Sequence, residues 1–176
     1  MNDNATDDTQ SANEHDKERQ QFMTLLESFD EAMLVTQREE GSMHARPMRI
    51  ARIGAGGDLW FATAIDTEKV EEVQTTESCA VTLQRGRAFL AIAGLAEVVR
   101  DRALITEMWH ESWRLWFPEG PSGASLCLIH VVPGNAEYWD NTGIKGLRFV
   151  LGATFAALRG RTPEAVGPEM HGRVSL

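Results

Sequence analysis

The sequence has little of several features that mark particular classes of protein. It contains only two cysteines, Cys79 and Cys127, too few and too far apart for a zinc site or a disulfide framework. Cys79 lies in the apolar phase of an alternating segment, which predicts a buried free thiol. The most apolar run, residues 149–158, is too short to span a bilayer. The opening residues have neither a basic nor an apolar segment, so we expect no secretory signal and a soluble, cytoplasmic protein.

Positive charge is also scarce. The chain has 17 Lys and Arg against 26 Asp and Glu, a net charge of −9. Nucleic acids and anionic membrane surfaces attract basic proteins, so we expect neither as a partner. Residues 1–19 carry −4 of this charge. Residues 1–16 have almost nothing to bury, which predicts a disordered acidic tail ahead of one domain over residues 17–176.

Motifs for several common chemistries are missing as well. The five histidines are scattered without metal-binding spacing, and neither a GxSxG nucleophile elbow nor a GxxxxGK phosphate-binding loop occurs. The glycine-rich segment 54–58 lies between two predicted strands, so we interpret it as a hairpin turn. The motifs therefore predict no metal site and identify no catalytic side chain.

The elements that are present alternate between strand and helix patterns. Apolar periodicity predicts strands over residues 32–36, 43–53, 59–64, 79–84, 88–99, 125–132 and 135–140, the last two joined by a turn at Pro133-Gly134. Helices are predicted from Lys17 onward and over residues 67–74, 101–116 and 147–159. Asp66 or Thr67 is expected to cap the second helix, and Asp101 the third.

Short connections between these strands favour antiparallel pairing. Pro47 lacks an N–H donor, so its strand is expected at a sheet edge or to be bulged there. The sequence therefore predicts a mainly β, α+β fold, in which a closed or nearly closed antiparallel barrel is flanked by helices.

Three tryptophans follow helical spacing. Trp109, Trp113 and Trp116 lie at i, i+4 and i+7 and would share one face of the predicted helix. Such a stripe is more often part of a core than of a cofactor site. Trp116 differs, because it begins the segment WFPEG (residues 116–120), which is expected to end the helix and form a turn. It is therefore a candidate for lining the mouth of a cavity.

Basic groups are placed beside strand ends in two segments. Arg46 lies on the strand that Pro47 interrupts, and Thr67 and Lys69 lie at a predicted helix start. A hydroxyl, free backbone amides and a cation together suit a phosphate, although each alone is typical of a solvated surface.

Five segments, in order, carry a resemblance to a known family. They are residues 44–48 (HARPM), 59–63 (LWFAT) with 67–70 (TEKV), 94–102 (GLAEVVRDR), 116–120 (WFPEG) and 136–140 (AEYWD). The chain resembles the pyridoxamine 5'-phosphate oxidase-like FMN-binding split barrels, specifically their general stress protein branch, over roughly residues 18–176. The resemblance implies an antiparallel split β-barrel, FMN as cofactor, and a homodimer with an FMN at each subunit interface.

The resemblance also implies which residues contact FMN. Arg46, Pro47 and Met48 are expected along the ring edge and the ribityl chain. Ala62 and Thr63 would contact the ring, and Thr67 and Lys69 would hold the phosphate. Trp139 would come from the partner chain, with Trp116 as a further candidate. Phe89 occupies the position of a ring-contacting Gln in the oxidases.

The chain also departs from the oxidases. Glu68 stands where they have an Arg on the phosphate, and Ala51 replaces a substrate-contacting Lys. Residues 141–145 lack the oxidases' substrate-binding run. We therefore expect an FMN-dependent oxidoreductase acting on another small substrate, with a reduced nicotinamide as electron donor, and not the oxidation of pyridoxamine 5'-phosphate.

Two alternatives remain open at this point. One is a non-catalytic module that binds, stores or senses flavin. The other is heme or deazaflavin in the same barrel, for which His44, His110 and His130 are the candidate axial ligands.

Overall fold

The computed structural model describes residues 16–140 and 171–175. Helix α1 covers residues 16–26. It is followed by β1 (Glu31–Gln37), β2 (Met43–Arg49), β3 (Arg52–Ile53), β4 (Leu59–Ala64), α2 (Glu68–Thr75), β5 (Ser78–Arg85), β6 (Ala88–Val99), α3 (Arg102–Met108), a 3₁₀ helix (Glu111–Leu115), β7 (Leu126–Asp140) and β8 (His171–Ser175). The predicted helix over residues 147–159, the segment 141–145 and nearly all of the predicted acidic tail lie outside the described residues. No described helix is long and apolar enough to cross a membrane.

The strands form one antiparallel sheet in the order β2-β1-β5-β6-β7-β4-β3, with β8 paired to β7. The two ends of this order, β2 and β3, are separated in the chain by only Ile50 and Ala51. Their amides donate to opposite ends of the sheet, Ile50 to the Asp30 carbonyl at 2.9 Å and Ala51 to the Trp60 carbonyl at 2.7 Å. The sheet must therefore curl until its edges meet, which confirms the predicted antiparallel barrel flanked by helices.

Alternation along the strands produces two cores. In β4, Leu59 and Phe61 face a cluster inside the barrel that also contains Phe22 of α1. Trp60 and Ala62, on the other face of β4, contact a second cluster beneath α3 and the 3₁₀ helix. Because β4 lies between two packed layers, its geometry is constrained from both sides.

The edge position predicted for Pro47 is confirmed. Strand β2 pairs only with β1 among the described residues, and Pro47 lies opposite Met33. A proline at this place removes no bond from the interior of the sheet.

The turn predicted at Pro133-Gly134 was wrong, because both residues lie within the continuous strand β7. Ala93 pairs with Asn135 and Gly94 with Pro133, so the ladder shifts register there and Gly134 is the extra residue of a β-bulge. A Cβ on Gly94 would lie 2.3 Å from the Val132 carbonyl oxygen, so only glycine permits this close approach.

The single helix predicted over residues 101–116 was wrong in its length. Asp101 does cap α3, accepting hydrogen bonds from the amides of Ala103 at 2.8 Å and Leu104 at 3.2 Å. The helix ends at Met108, because Trp109 and His110 adopt extended backbone angles before the 3₁₀ helix begins. The His110 ring then accepts from the Ser112 amide and starts this second helix. The three tryptophans therefore do not share a helix face.

Candidate cofactor-binding site

A cavity of about 580 Å³ opens where β2 and β4 diverge, and we call it the cation cavity. Its lining comes from β2, β4, the start of α2 and the 3₁₀ helix, and consists of Arg46, Pro47, Met48, Arg49, Ala51, Ala62, Thr63, Ala64, Thr67, Lys69, Trp113, Trp116 and Phe117. Curling of the sheet brings these elements together, although they are scattered along the chain. Eight of the ten residues that the sequence associates with FMN line this cavity.

Lys69 brings to the cavity an ammonium group that forms no direct ion pair among the described residues. The half-buried Nζ atom donates to the Thr63 hydroxyl at 3.1 Å, and no ion pair with it occurs among the residues that the structure describes. Burial, and then the positive charge of Arg46, lower the pKa of Lys69 below its ordinary value of 10.5. A bound anion would relieve both effects and would accept the remaining N–H bonds.

Thr67 is the N-cap residue of α2, but it does not form the side-chain cap that the sequence predicts. Its hydroxyl instead donates to the Ala64 carbonyl at 2.8 Å. The amides of the first turn therefore lack a side-chain acceptor, beside a cavity whose lining contains three cationic side chains, Arg46, Arg49 and Lys69. This combination suits an anionic group such as a phosphate.

Arg46 belongs to a polar cluster around the buried Glu72 that the sequence analysis did not predict, which we call the Glu72 cluster (Thr36, Arg38, His44, Arg46 and Glu72). One guanidinium nitrogen donates to Glu72 Oε2, and the other donates to the Thr36 hydroxyl at 2.5 Å. The Thr36 hydroxyl donates in turn to Glu72 Oε2 at 2.5 Å. His44 Nδ1 lies 2.8 Å, and Arg38 Nε 3.5 Å, from Glu72 Oε1.

The Glu72 carboxyl stays ionised inside this cluster. Burial opposes its ionisation, but hydrogen bonds with Thr36, His44 and Arg46 outweigh burial and lower the pKa of Glu72 from 4.5 to about 2. A signal for the cluster was present in the sequence, because Thr36 occupies the inward phase of β1 together with Ala32 and Leu34. A polar residue in that phase needs a buried polar partner.

Glu68, which the sequence places at the phosphate, is not part of the cavity lining. Its side chain is exposed, and its Oε2 atom lies 3.8 Å from both Arg38 and His44. The negative charge of Glu68, which replaces a positive one in the oxidases, therefore faces Arg38 and His44, and neither of these lines the cavity. Ala51, where the oxidases have a lysine, does line the cavity and leaves that part of the wall apolar.

One wall of the cation cavity is aromatic. Trp113 is buried and meets Trp109 edge-on at 5.8 Å between ring centroids, while Phe117 and Trp116 continue the wall. Trp116 is 65% exposed although it lines the cavity. It belongs to the same chain as Lys69 and Arg46, so in this structure no second subunit is needed to bring it there.

Phe89 and Trp139 do not line the cation cavity. They face each other across β6 and β7 and line a separate groove of about 420 Å³, which we call the Phe89 groove. Pro47 borders both the groove and the cavity. The groove is mainly apolar, and Phe89 (38% exposed) and Met33 (38% exposed) present open surface to it.

None of the candidate axial histidines lines the cation cavity. His44 is held by Glu72, and His110 Nδ1 lies 2.7 Å from the Ser112 hydroxyl. His130 lies between Glu97 and Asp58, at 2.9 and 3.3 Å, and its ring stacks on Trp60.

Within residues 16–140 and 171–175, one group of side chains has ligand atoms close enough for a metal ion. Atoms of His44, Glu68 and Glu72 lie within 4.8 Å of one another. Arg38 and Arg46 already pair with these carboxylates, so the group has no excess negative charge to offer a cation.

Comparison with known proteins decides the family. The model of the family described as pyridoxamine 5'-phosphate oxidase like matches residues 17–164. The chain belongs to this family. The family resemblance found in the sequence is thereby confirmed, and no curated protein matches the chain.

Solved structures confirm the split-barrel fold. A Clostridium acetobutylicum protein described as related to general stress protein 26 is 20% identical, with a TM-score of 0.63 over 70% of this chain and 88% of its own. The general stress FMN/FAD binding protein of Xanthomonas citri is 24% identical, with a TM-score of 0.63 over 73% and 92%. A pyridoxamine 5'-phosphate oxidase-related, FMN binding protein of Nostoc punctiforme is 16% identical, with a TM-score of 0.57 over 77% and 85%.

Proposed function

We propose that the chain is an FMN-binding protein of the general stress type whose cofactor occupies the cation cavity. The observation that carries the proposal is the proximity of two cations in the lining, Arg46 and Lys69, of which the Lys69 ammonium has no direct carboxylate partner among the described residues. The Thr63 hydroxyl, which accepts from Lys69 and keeps its own O–H, and the first-turn amides of α2 supply neutral donors around them. Cations with short neutral donors are the groups that bind a phosphate monoester.

The remaining lining fits the rest of a flavin. Pro47, Met48 and Ala62 offer apolar surface in the same lining as the cations, and Trp116 and Phe117 add aromatic surface. A pocket of several hundred Å³ that is mostly apolar, with a few convergent polar groups, is typical of cofactor sites. Because no candidate axial histidine lines the cavity, flavin is favoured over heme.

We further propose that the site is completed by a second copy of the chain in a homodimer. Phe89 and Trp139 are paired across two strands, so one apolar surface carries both. This surface lies outside the cation cavity of its own chain but shares Pro47 with it. Placed against the cavity of a partner, the Phe89 groove would add the flat surface that a flavin ring requires.

The activity that we propose is flavin-dependent oxidoreduction of a small substrate, with a reduced nicotinamide as electron donor. When bound, a flavin supplies hydride and single-electron chemistry. The chain's own residues would bind the phosphate (Lys69 and Arg46) and exclude water from one side of the ring (Trp116 and Phe117). The described lining contains no histidine, carboxylate or cysteine, so no side-chain acid or base is assigned.

The same lack of an acid or base in the described lining favours a second candidate, a module that binds, stores or senses flavin without turnover. Stopped-flow mixing of the flavin-loaded protein with reduced nicotinamides separates the two. Reduction within seconds supports the oxidoreductase, whereas flavin that stays oxidised for many minutes supports the binding module.

Titration by flavin fluorescence quenching tests the binding proposal. We expect FMN to bind at least 100-fold more tightly than riboflavin, because riboflavin lacks the phosphate that the two cations would hold. Equal affinity for the two flavins would contradict a phosphate site in the cation cavity. No quenching by either flavin would overturn the proposal as a whole.

A further inference from the structure

The guanidinium of Arg46 is held by residues that lie outside the lining of the cation cavity. Arg46 lines the cavity, but Glu72 and Thr36, whose side chains it contacts, do not. Thr36 is fully buried, and the side chains of Glu72 and Arg46 are 7% and 12% exposed. These contacts use two N–H groups, and Nη1 also donates to the Leu34 carbonyl at 3.5 Å, so two of the five guanidinium N–H donors remain for a ligand.

Arg46 needs to be held in place because the cavity brings its positive charge close to that of Lys69. The charge of Arg46 is felt by Lys69, whose pKa it lowers. A long side chain that is repelled in this way would otherwise turn toward solvent. Glu72 lies three residues after Lys69 on α2, so one helix supplies both the ammonium and the carboxylate that retains the second cation.

We propose that Glu72 is a positioning residue which, together with Thr36, holds the Arg46 guanidinium beside Lys69 in the geometry that receives the cofactor phosphate. This inference rests on the proposed FMN site. It assigns to Glu72 an indirect role, since its carboxylate contacts Arg46 and not the cavity. Preorganisation of this kind raises affinity by reducing the entropy lost when the ligand binds.

A positioning role and a purely electrostatic role predict opposite results. If Glu72 acted only through its charge, removing that charge would make the cavity more positive and FMN binding tighter. If Glu72 positions Arg46, removing the charge releases the guanidinium and weakens binding. The sign of the change therefore separates the two roles.

The first test compares Glu72→Gln with Glu71→Gln, an exposed glutamate one residue earlier on the same helix. Both variants change the net charge equally. We expect FMN to bind about tenfold more weakly to Glu72→Gln, which corresponds to about 1.4 kcal/mol of binding free energy. Its affinity for Glu71→Gln should be unchanged. Tighter or unchanged binding by a folded Glu72→Gln variant would overturn the inference.

Thr36 provides a second route if Glu72→Gln does not fold. Thr36→Val removes the hydroxyl that bridges Glu72 and Arg46, whereas Thr36→Ser keeps it. We expect Thr36→Val to weaken FMN binding several-fold and Thr36→Ser to retain most of the affinity. Equal affinities in the two variants would show that the hydroxyl bridge does not position Arg46.

A measurement without flavin keeps this inference separate from the proposed function. Phenylglyoxal modifies accessible arginines, and peptide mass mapping reports the extent at Arg46. We expect slow modification of Arg46 in the wild type and in Glu71→Gln, further slowed by inorganic phosphate, and modification several-fold faster in Glu72→Gln. Failure of FMN to bind the wild type would overturn the proposed function, whereas equal Arg46 reactivity in the wild type and Glu72→Gln would overturn the role of Glu72.

Discussion

The cation cavity and the Phe89 groove lie on either side of Pro47 and differ in chemistry. The cavity gathers cations, hydroxyls and backbone amides from three elements that only the closed barrel brings together. The groove is a mainly apolar surface formed largely by adjacent strands. Cationic side chains that could hold a phosphate line the cavity and not the groove, whereas both regions carry apolar surface. Substitutions in the two regions should therefore act differently.

The largest effect is expected from reversing the charge of Lys69. Lys69→Glu would place a carboxylate where a phosphate is proposed to bind, and like charges in a half-buried site repel strongly. We expect FMN affinity to fall by more than about 100-fold in a fluorescence titration. Arg87→Glu, the same charge change in the exposed β5–β6 turn, serves as the control. Retained affinity in Lys69→Glu would show that the phosphate binds elsewhere.

A smaller effect is expected in the groove. Trp139→Ala removes a flat surface but no charge, so we expect FMN to bind about tenfold more weakly. The loss should be accompanied by a lower mass in light scattering if the groove faces a second subunit. Leu95→Ala, which shortens an exposed apolar side chain of β6 outside the groove, should change neither quantity. An unaltered mass and affinity in Trp139→Ala would remove the groove from the site.

The two regions should also respond differently to acid. The folded protein holds the pKa of Glu72 at about 2, below its ordinary 4.5, so this carboxylate stabilises the fold above pH 4.5. That contribution is lost as the pH falls from 4.5 toward 2. Urea unfolding should show that Glu72→Gln costs about 3 kcal/mol at pH 7 and much less near pH 2. A loss of unfolding free energy in Glu72→Gln that does not depend on pH would contradict an ionised Glu72. In Trp139→Ala, the difference from the wild type should not shrink as the pH falls.

The smallest effect is expected at Glu68. Its exposed carboxylate faces Arg38 and His44 and not the cavity lining. We expect Glu68→Gln to change FMN affinity by less than about threefold, since exposed charges are largely screened. A gain of tenfold or more would mean that Glu68 opposes the phosphate directly, as its position in the sequence suggests.

Much of the fold was predictable because local signals and tertiary packing agree. Strand β6 covers residues 88–99 as predicted, and Pro47 lies at an edge as its missing donor requires. The predictions failed where tertiary pairing overrode a local signal. Pro133-Gly134 is turn-forming in sequence, but the long partner strand β6 and the close approach at Gly94 keep it inside β7. Trp109 fits a helical period, but extended angles at Trp109 and His110 break the helix.

The site was predictable in its residue types but not in its arrangement. The motifs point to Arg46 and Lys69, and both line one cavity. The motifs could not show that Arg46 is held by Glu72, because that contact joins residues 26 positions apart and depends on how α2 packs beside β1 and β2. For the same reason, periodicity alone could not show that Phe89 and Trp139 lie outside the cavity.

We propose a shared cofactor site, which combines the cation cavity of one chain with the Phe89 groove of another. Co-expression of Lys69→Glu and Trp139→Ala chains with different tags, followed by tandem purification of the mixed dimer, tests it directly. Each mixed dimer would contain one site with both residues intact and one with neither. We therefore predict one site of wild-type affinity per mixed dimer, whereas the sites of the Trp139→Ala parent bind about tenfold and those of the Lys69→Glu parent more than about 100-fold more weakly. A mixed dimer that binds no more FMN than its parents would contradict a shared site.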